Sequence, residues 1–285
     1  MATVKIKDDF DLKKIINSGQ CFRAAEIEDN LFRFVTKKYV VYIKQLDEEN
    51  FDVSCTQHEW EDTWVNYFDL ETNYSDIRQA VGHFAERTPF EEYLKAAAEF
   101  SKGIRILRQE PLETLISFII SQRKTIPAIK KSVELVCETF GRDYKTERGE
   151  TLKLFPTIDQ LSKATQMQLS TCALGYRGAY VHDAISKVQE RIVRLDGFRK
   201  TPDEDMLLEL QQIKGVGIKV ACCVALYAYH RLNIAPFDVW IKRAIDEDFK
   251  GRNIFAEFAR YAGILQQYIF YYKRLADKKD FELGD

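Results

Sequence analysis

No stretch of this 285-residue chain reaches the run of about 18 apolar residues that a membrane-spanning helix needs. Its opening, MATVKIKDDF, lacks the basic-then-apolar layout of a signal peptide, so a cytosolic protein with no membrane partner is expected. The six cysteines, Cys21, Cys55, Cys137, Cys172, Cys222 and Cys223, form no CxxC pair and no regular framework. That disfavours a disulfide scaffold and fits a reducing setting. No internal repeat and no low-complexity tract is present. An excess of positive charge is missing too: 42 Lys and Arg stand against 44 Asp and Glu, for a net charge of −2. Binding of nucleic acid through bulk charge is therefore disfavoured, although an acidic remainder can hide a local patch. Lys102, Arg105, Arg108, Arg123, Lys124, Lys130 and Lys131 fall in one span where the acids are Glu110 and Glu113. A solvated helical face is the commoner source of such a cluster.

What is present is the composition of a globular protein, 46% hydrophobic and 30% charged, at a length that favours two domains. Between about Gly19 and Cys55, CFRAAEI, LFRFVTKKYVVYIKQL and FDVSC alternate around a Thr36-Lys37-Lys38 turn and predict an antiparallel meander. From about Ser75 the period lengthens to the helical one. PLETLISFIISQ has Pro111 in its first turn, IPAIKKSVELVCETFG has Gly141 as its stop, and helices are expected from there to the end. The expected class is α+β, with a β-rich domain over 1–86 and a mainly helical one over 87–285.

Within MLLELQQIKGVGIKVACCVALYAY, two helical patterns flank Lys214-Gly215-Val216-Gly217, which predicts a helix-hairpin-helix at about 205–230. Gly215 and Gly217 allow positive φ and close approach, and the amides opening the second helix suit a phosphate. A plain helix connection is the simpler alternative. Lys219, Cys223 and Tyr227 lie on one helical face among Val220, Val224 and Leu226. Desolvation and the helix dipole there both favour the free amine that a nucleophilic lysine requires, whereas a snorkelling or ion-paired lysine is the commoner fate. Asp238, in NIAPFDVW, is placed as a helix N-cap, and a carboxylate near such a lysine also suits a developing sugar cation.

GVGIKVA, a proline-containing loop and an Asp 19 positions after the lysine (238 − 219) together resemble the helix-hairpin-helix DNA glycosylase superfamily. The resemblance is to its 8-oxoguanine DNA glycosylase branch, through SGQCFR, YFDL, GIRILRQEPLETLISFIISQ, ALGYRGAYV and YAGILQQYIF. It implies excision of 8-oxoguanine from double-stranded DNA by a monomer, with Lys219 attacking C1′ of a flipped nucleotide, forming a Schiff base and then cutting the strand as an AP lyase. Asp238 would stabilise the sugar cation. Phe270 and Cys223 would sandwich the base and Gln266 would read its Watson–Crick edge. Gly19 would aim its carbonyl at the N7 hydrogen that 8-oxoguanine carries and guanine lacks. Tyr176 and Arg177 would wedge beside the lesion and contact the estranged base with Arg123, while Gly215, Gly217 and Trp240 would meet DNA.

The loop SQRKTIPAIK departs from the asparagine-rich stretch of eukaryotic members, with Arg123 and Ala128 at the positions that check for cytosine, which puts a strict preference for opposite cytosine in doubt. Trp240 stands where a histidine is usual, and Lys214 where a proline often precedes GVG. No cysteine follows Cys223, so neither the iron–sulfur cluster of the endonuclease III branch nor another cofactor is expected. Two other readings stay open: a glycosylase of this fold for another lesion such as alkylated purines, and a non-catalytic DNA-binding module. The expected location is the cytoplasm, at the nucleoid in a prokaryote or in the nucleus of a eukaryote.

Overall fold

The computed structural model describes residues 2–282. Five strands, β1 (Ala2–Lys5), β2 (Ala25–Glu28), β3 (Leu31–Thr36), β4 (Tyr39–Gln45) and β5 (Asn50–Val53), form an antiparallel sheet in the order β1-β5-β4-β3-β2. The turn between β3 and β4 is Lys37-Lys38, with Lys37 at φ +52, as a tight two-residue hairpin demands. Val40 to Ile43 are all buried because both faces of the sheet are covered. On one, Phe32, Phe34, Val41 and Ile43 pack with Leu12, Trp64 and Phe68; on the other, Leu31, Val35, Val40 and Tyr42 pack with Leu154.

Leu154 arrives on an element that the helical expectation missed. Asp143–Lys145 and Thr151–Lys153 pair as a second small antiparallel sheet, so the chain beyond residue 87 is not helical throughout. Three-residue polar strands carry no legible alternation. β1 escaped notice for the same reason.

The helical core is built around Pro111–Ser121, which buries Leu112 and the seven consecutive residues from Thr114 to Ile120. Glu110 caps it by accepting from the Glu113 amide at 2.7 Å, and Pro111 occupies the first turn. Ile126–Phe140 stops at Gly141. The expected boundary at 86/87 falls inside this core, because helix Tyr74–Ala85 packs Tyr74, Ile77 and Val81 into it. Arg105 ties the two cores together. It is wholly buried and donates to the carbonyls of Asp9, Phe68, Asp69 and Thr72 and to the Asp8 carboxylate, all within 3.1 Å. A buried guanidinium persists only with its donors matched in this way. Among the described residues, no helix is long and apolar enough to cross a membrane.

Candidate active site

Helices Asp203–Leu210 and Ile218–Tyr229 flank the glycine turn, as their periodicity predicts. The two glycines differ. Gly215 has φ +78, and a Cβ there would lie 2.2 Å from the Tyr180 ring. Gly217 is extended at φ −93 with open space about it and caps the second helix. The turn is seated on helix Arg177–Gln189: Asp183 accepts from the Lys214 amide at 2.6 Å, and Lys187 donates to the Gln212 carbonyl at 2.6 Å. Gly215→Ala is expected to destabilise the fold by about 1–3 kcal/mol and to weaken duplex binding. Gly217→Ala should leave the melting temperature in place, and a thermal melt of both variants checks the contrast.

In the first turn of the second helix, Lys219 is half-buried, with Nζ 5.5 Å from the centroid of the Phe118 ring. Phe118 in turn stacks on Tyr227 at 5.3 Å. Cys223, 2% exposed, sits between them on the same face; burial raises its thiol pKa, opposed by the neighbouring Lys219. Asp238 opens helix Val239–Arg243, and its Oδ1 accepts from the amides of Trp240 at 3.0 Å and Ile241 at 2.9 Å. Oδ2 is left unclaimed among the described residues. Burial raises the Asp238 carboxyl pKa, against the pull of the Ile241 amide, Lys219, the Trp240 amide and Arg274. The result is a carboxylate held rigidly by one oxygen, beside Lys219, in a half-buried place.

The facing wall comes from the other end of the chain. The terminal helix Ala262–Glu282 grips the Asn17–Gly19 segment: Gln267 donates to the Ser18 carbonyl at 2.8 Å, and Arg274 donates to the Asn17 carbonyl. No donor among the described residues reaches the next carbonyl, that of Gly19. Gly19 has φ +77, and a Cβ there would lie 3.2 Å from both Phe270 and Ile126. Gln266 is 3% exposed, and its buried Oε1 has no hydrogen-bond partner. An unmet buried acceptor costs about 1–3 kcal/mol, and such groups gather where a ligand completes them. The structure thus brings Gly19 against Phe270 and sets Lys219, Cys223 and Asp238 together.

Of the residues expected at the DNA surface, Arg123 is exposed at φ +52 and Tyr176 is half-exposed, 5.6 Å from Tyr180. Arg177 departs from expectation. It is 7% exposed and donates to the carbonyls of Gln122, Arg123 and Leu174, so it pins the loop that presents Arg123 instead of projecting to an estranged base. Lys124 returns the link by donating to the Ala173 carbonyl at 2.6 Å. An arginine beside the apolar Leu174 and two loops would be the signal for such a staple. Trp240 is half-buried, its amide on Asp238 and its ring 5.1 Å from the Arg243 guanidinium. Sequence reasoning missed Phe118, Asp183, Gln267 and Arg274. Arg274 continues the Gln266 and Phe270 spacing by one turn, although its partner Asn17 was not legible. Among the described residues, no three His, Cys, Asp or Glu side chains gather as a metal site.

A glycine hairpin, a lysine in the first turn of the helix it opens and a carboxylate capping the following helix, on a chain that also carries an N-terminal antiparallel sheet, define a helix-hairpin-helix DNA glycosylase. The chain belongs to the 8-oxoguanine DNA glycosylase/lyase family. Residues 3–115 match the 8-oxoguanine DNA glycosylase N-terminal domain. An N-glycosylase/DNA lyase of Saccharomyces cerevisiae is 30% identical over 270 residues, 86% of this chain and 69% of the yeast protein. The 8-oxoguanine glycosylase/lyase of Clostridium acetobutylicum, solved with duplex DNA containing cytosine opposite 8-oxoguanine, is 31% identical with a TM-score of 0.86 over 97% of this chain and 99% of that one. A 3-methyladenine DNA glycosylase from Archaeoglobus fulgidus shares the fold at 19% identity, with a TM-score of 0.75 over 96% of this chain and 98% of the other.

Proposed function

We propose that this protein excises 8-oxoguanine from duplex DNA with Lys219 as the nucleophile and then cleaves the strand as an AP lyase. The observation that carries this is the grouping of a half-buried lysine amine with Cys223 and with an Asp238 whose Oδ2 is free, together with Phe270 set against the unoccupied acceptor at Gly19. The Lys219 amine, as free base, adds to C1′ while the C1′–N9 bond breaks and its electron pair leaves with the base. Asp238 Oδ2 faces the sugar cation that develops between these events, where a fixed carboxylate in a dry site is worth far more than in water. Loss of a proton from nitrogen and opening of the sugar ring give the imine. Removal of a C2′ proton then expels the 3′ phosphate.

Recognition precedes this chemistry. The Gly19 carbonyl accepts the N7 hydrogen of 8-oxoguanine and repels the N7 lone pair of guanine. Phe270 covers one face of the base, Cys223 the other, and the unmet Gln266 amide meets its edge. Glycine residues of the hairpin bring backbone amides to a phosphate, and Tyr176 and Arg123 fill the space that extrusion leaves, which costs a few kcal/mol to open. The reaction as read here needs no cofactor or cluster, and every group named lies on one chain, so a monomer suffices. Its place is wherever the chromosome lies, the nucleoid or the nucleus.

Borohydride trapping of the wild type on duplexes carrying 8-oxoguanine opposite each of the four bases tests this reading. A covalent complex on lesion DNA and none on undamaged DNA is expected. Its yield should vary only modestly with the opposite base, because Arg123 and Ala128 replace the groups that check for cytosine. Absence of any trapped complex, with or without excision, rejects the lysine mechanism.

A further inference from the structure

Ser18, Gly19 and Gln20 present three successive backbone carbonyls, in a stretch (18–24) that belongs to no helix or strand. The outer two are taken by glutamine side chains. Gln267 Nε2 donates to the Ser18 carbonyl and Gln109 Nε2 to that of Gln20, each at 2.8 Å. Gln20 is fixed further through its own side chain, which donates to the Arg105 carbonyl and accepts from the Leu107 amide, each at 2.8 Å. The middle carbonyl, that of Gly19, is left for a ligand.

Both glutamines are anchored on one residue of helix Ile218–Tyr229. The Tyr227 hydroxyl donates to Gln267 Oε1 at 2.5 Å, and the Gln109 backbone amide donates to the Tyr227 carbonyl at 2.8 Å. Ser18, Gln20, Tyr227 and Gln267 are all buried, so these bonds gain from a low local dielectric. The Tyr227 ring lies flat on Phe118, with 10° between their planes, and Phe118 in turn meets the Lys219 amine. Lys219 and Tyr227 themselves stand two turns apart on one helical face. A backbone carbonyl in an irregular stretch has no ladder to hold it, yet a recognition group must stay within about 0.5 Å of its working place. Lys219 must meet C1′ of the same nucleotide whose base Gly19 reads. A residue that carries both arms therefore sets the span between reader and nucleophile.

We propose that Tyr227 is a positioning residue that fixes the Gly19 carbonyl relative to Lys219, by one arm through Gln267 to Ser18 and by a second through Gln109 to Gln20. The proposal rests on the glycosylase reading above, in which Gly19 selects the lesion and Lys219 attacks the sugar.

Two activities separate reader from nucleophile. Excision of 8-oxoguanine needs both, whereas cleavage of a preformed abasic site in the same duplex needs Lys219 and offers no base to read. Single-turnover rates of both, with a thermal melt, are measured for wild type, Tyr227→Phe, Gln267→Leu, Gln109→Leu and the double variant Tyr227→Phe with Gln267→Leu. Tyr227→Phe removes one oxygen and keeps both the ring stack and the Gln109 bond. Each single variant should slow excision about tenfold while abasic-site cleavage stays within about twofold of wild type, because displacing a support slows the step that depends on it. The double variant should be no slower than Gln267→Leu, since its two bonds lie in series on one arm. A ratio of the two rates unchanged in any single variant, as a merely structural loss would leave it, overturns the proposal, and so do losses that multiply in the double variant. If a leucine variant does not fold, Gln267→Asn or Gln109→Asn, which keeps the amide and shortens the arm, is judged by the same ratio. Wild type that excises no 8-oxoguanine rejects the glycosylase reading and this proposal with it; an active wild type with unchanged ratios in the variants rejects the positioning role alone.

Discussion

Lys219→Gln is expected to lose the trapped complex entirely and to slow base excision by on the order of 10³-fold or more, with duplex affinity within a few-fold of wild type. Glutamine is nearly the same length and cannot form a Schiff base. The Lys219 amine contributes a cation–π contact to Phe118, worth about 0.5–2 kcal/mol, so a small loss of stability accompanies the catalytic one. Removing the cation also leaves the Asp238 carboxylate without its hairpin partner, and burial then pushes its pKa up further. Two defects therefore combine. Single-turnover glycosylase assays and anisotropy titrations at one fixed salt concentration separate chemistry from binding. Excision near the wild-type rate would mean that water, not Lys219, attacks C1′.

Asp238→Asn should reduce excision by on the order of 10²–10⁴-fold while leaving the melting temperature unchanged. Asparagine caps a helix as well as aspartate does, so the amides of Trp240 and Ile241 keep their acceptor. Asp238→Ala removes both functions, adding about 1 kcal/mol of lost capping. The ionised carboxylate is the active form. Because burial raises its pKa, wild-type excision should fall off as pH drops through a value above the ordinary carboxylate range, and the asparagine variant should lack that limb. A variant equally inactive and equally less stable would assign Asp238 to the cap alone.

The sequence carried the hairpin, the place of Lys219 and the cap because each is local. Gly215, Lys219 and Tyr227 are fixed by turn chemistry and a 3.6-residue period. Asp238 announces itself as a polar residue just before a helix. The β3–β4 turn and the stop at Gly141 were legible on the same terms. What could not be read depends on separation along the chain. The Arg105 side chain binds five residues in two stretches, 8–9 and 68–72, and its place in a basic span suggested a solvated face. Arg177 reads as a surface cation and is instead consumed by carbonyls 54 and 55 residues away. Arg274 meets Asn17 across 257 residues. No spacing rule reaches that far.

That last distance has a consequence for how the enzyme comes into being. The Gly19 carbonyl proposed to select the lesion sits near the start of the chain, and Gln267 and Arg274, which hold the two residues before it, are among the last to be made. The sheet domain can fold early in translation, yet the carbonyls of Asn17 and Ser18 lack the donors Arg274 and Gln267 until helix 262–282 has left the ribosome. A nascent chain released or stalled before that point would carry the hairpin and Lys219 without the means to tell damaged guanine from sound. Contacts of such long sequence separation also form late and slowly. On the proposed role of Gly19, discrimination is the final property this protein acquires, and the first that shortening of the terminal helix would remove.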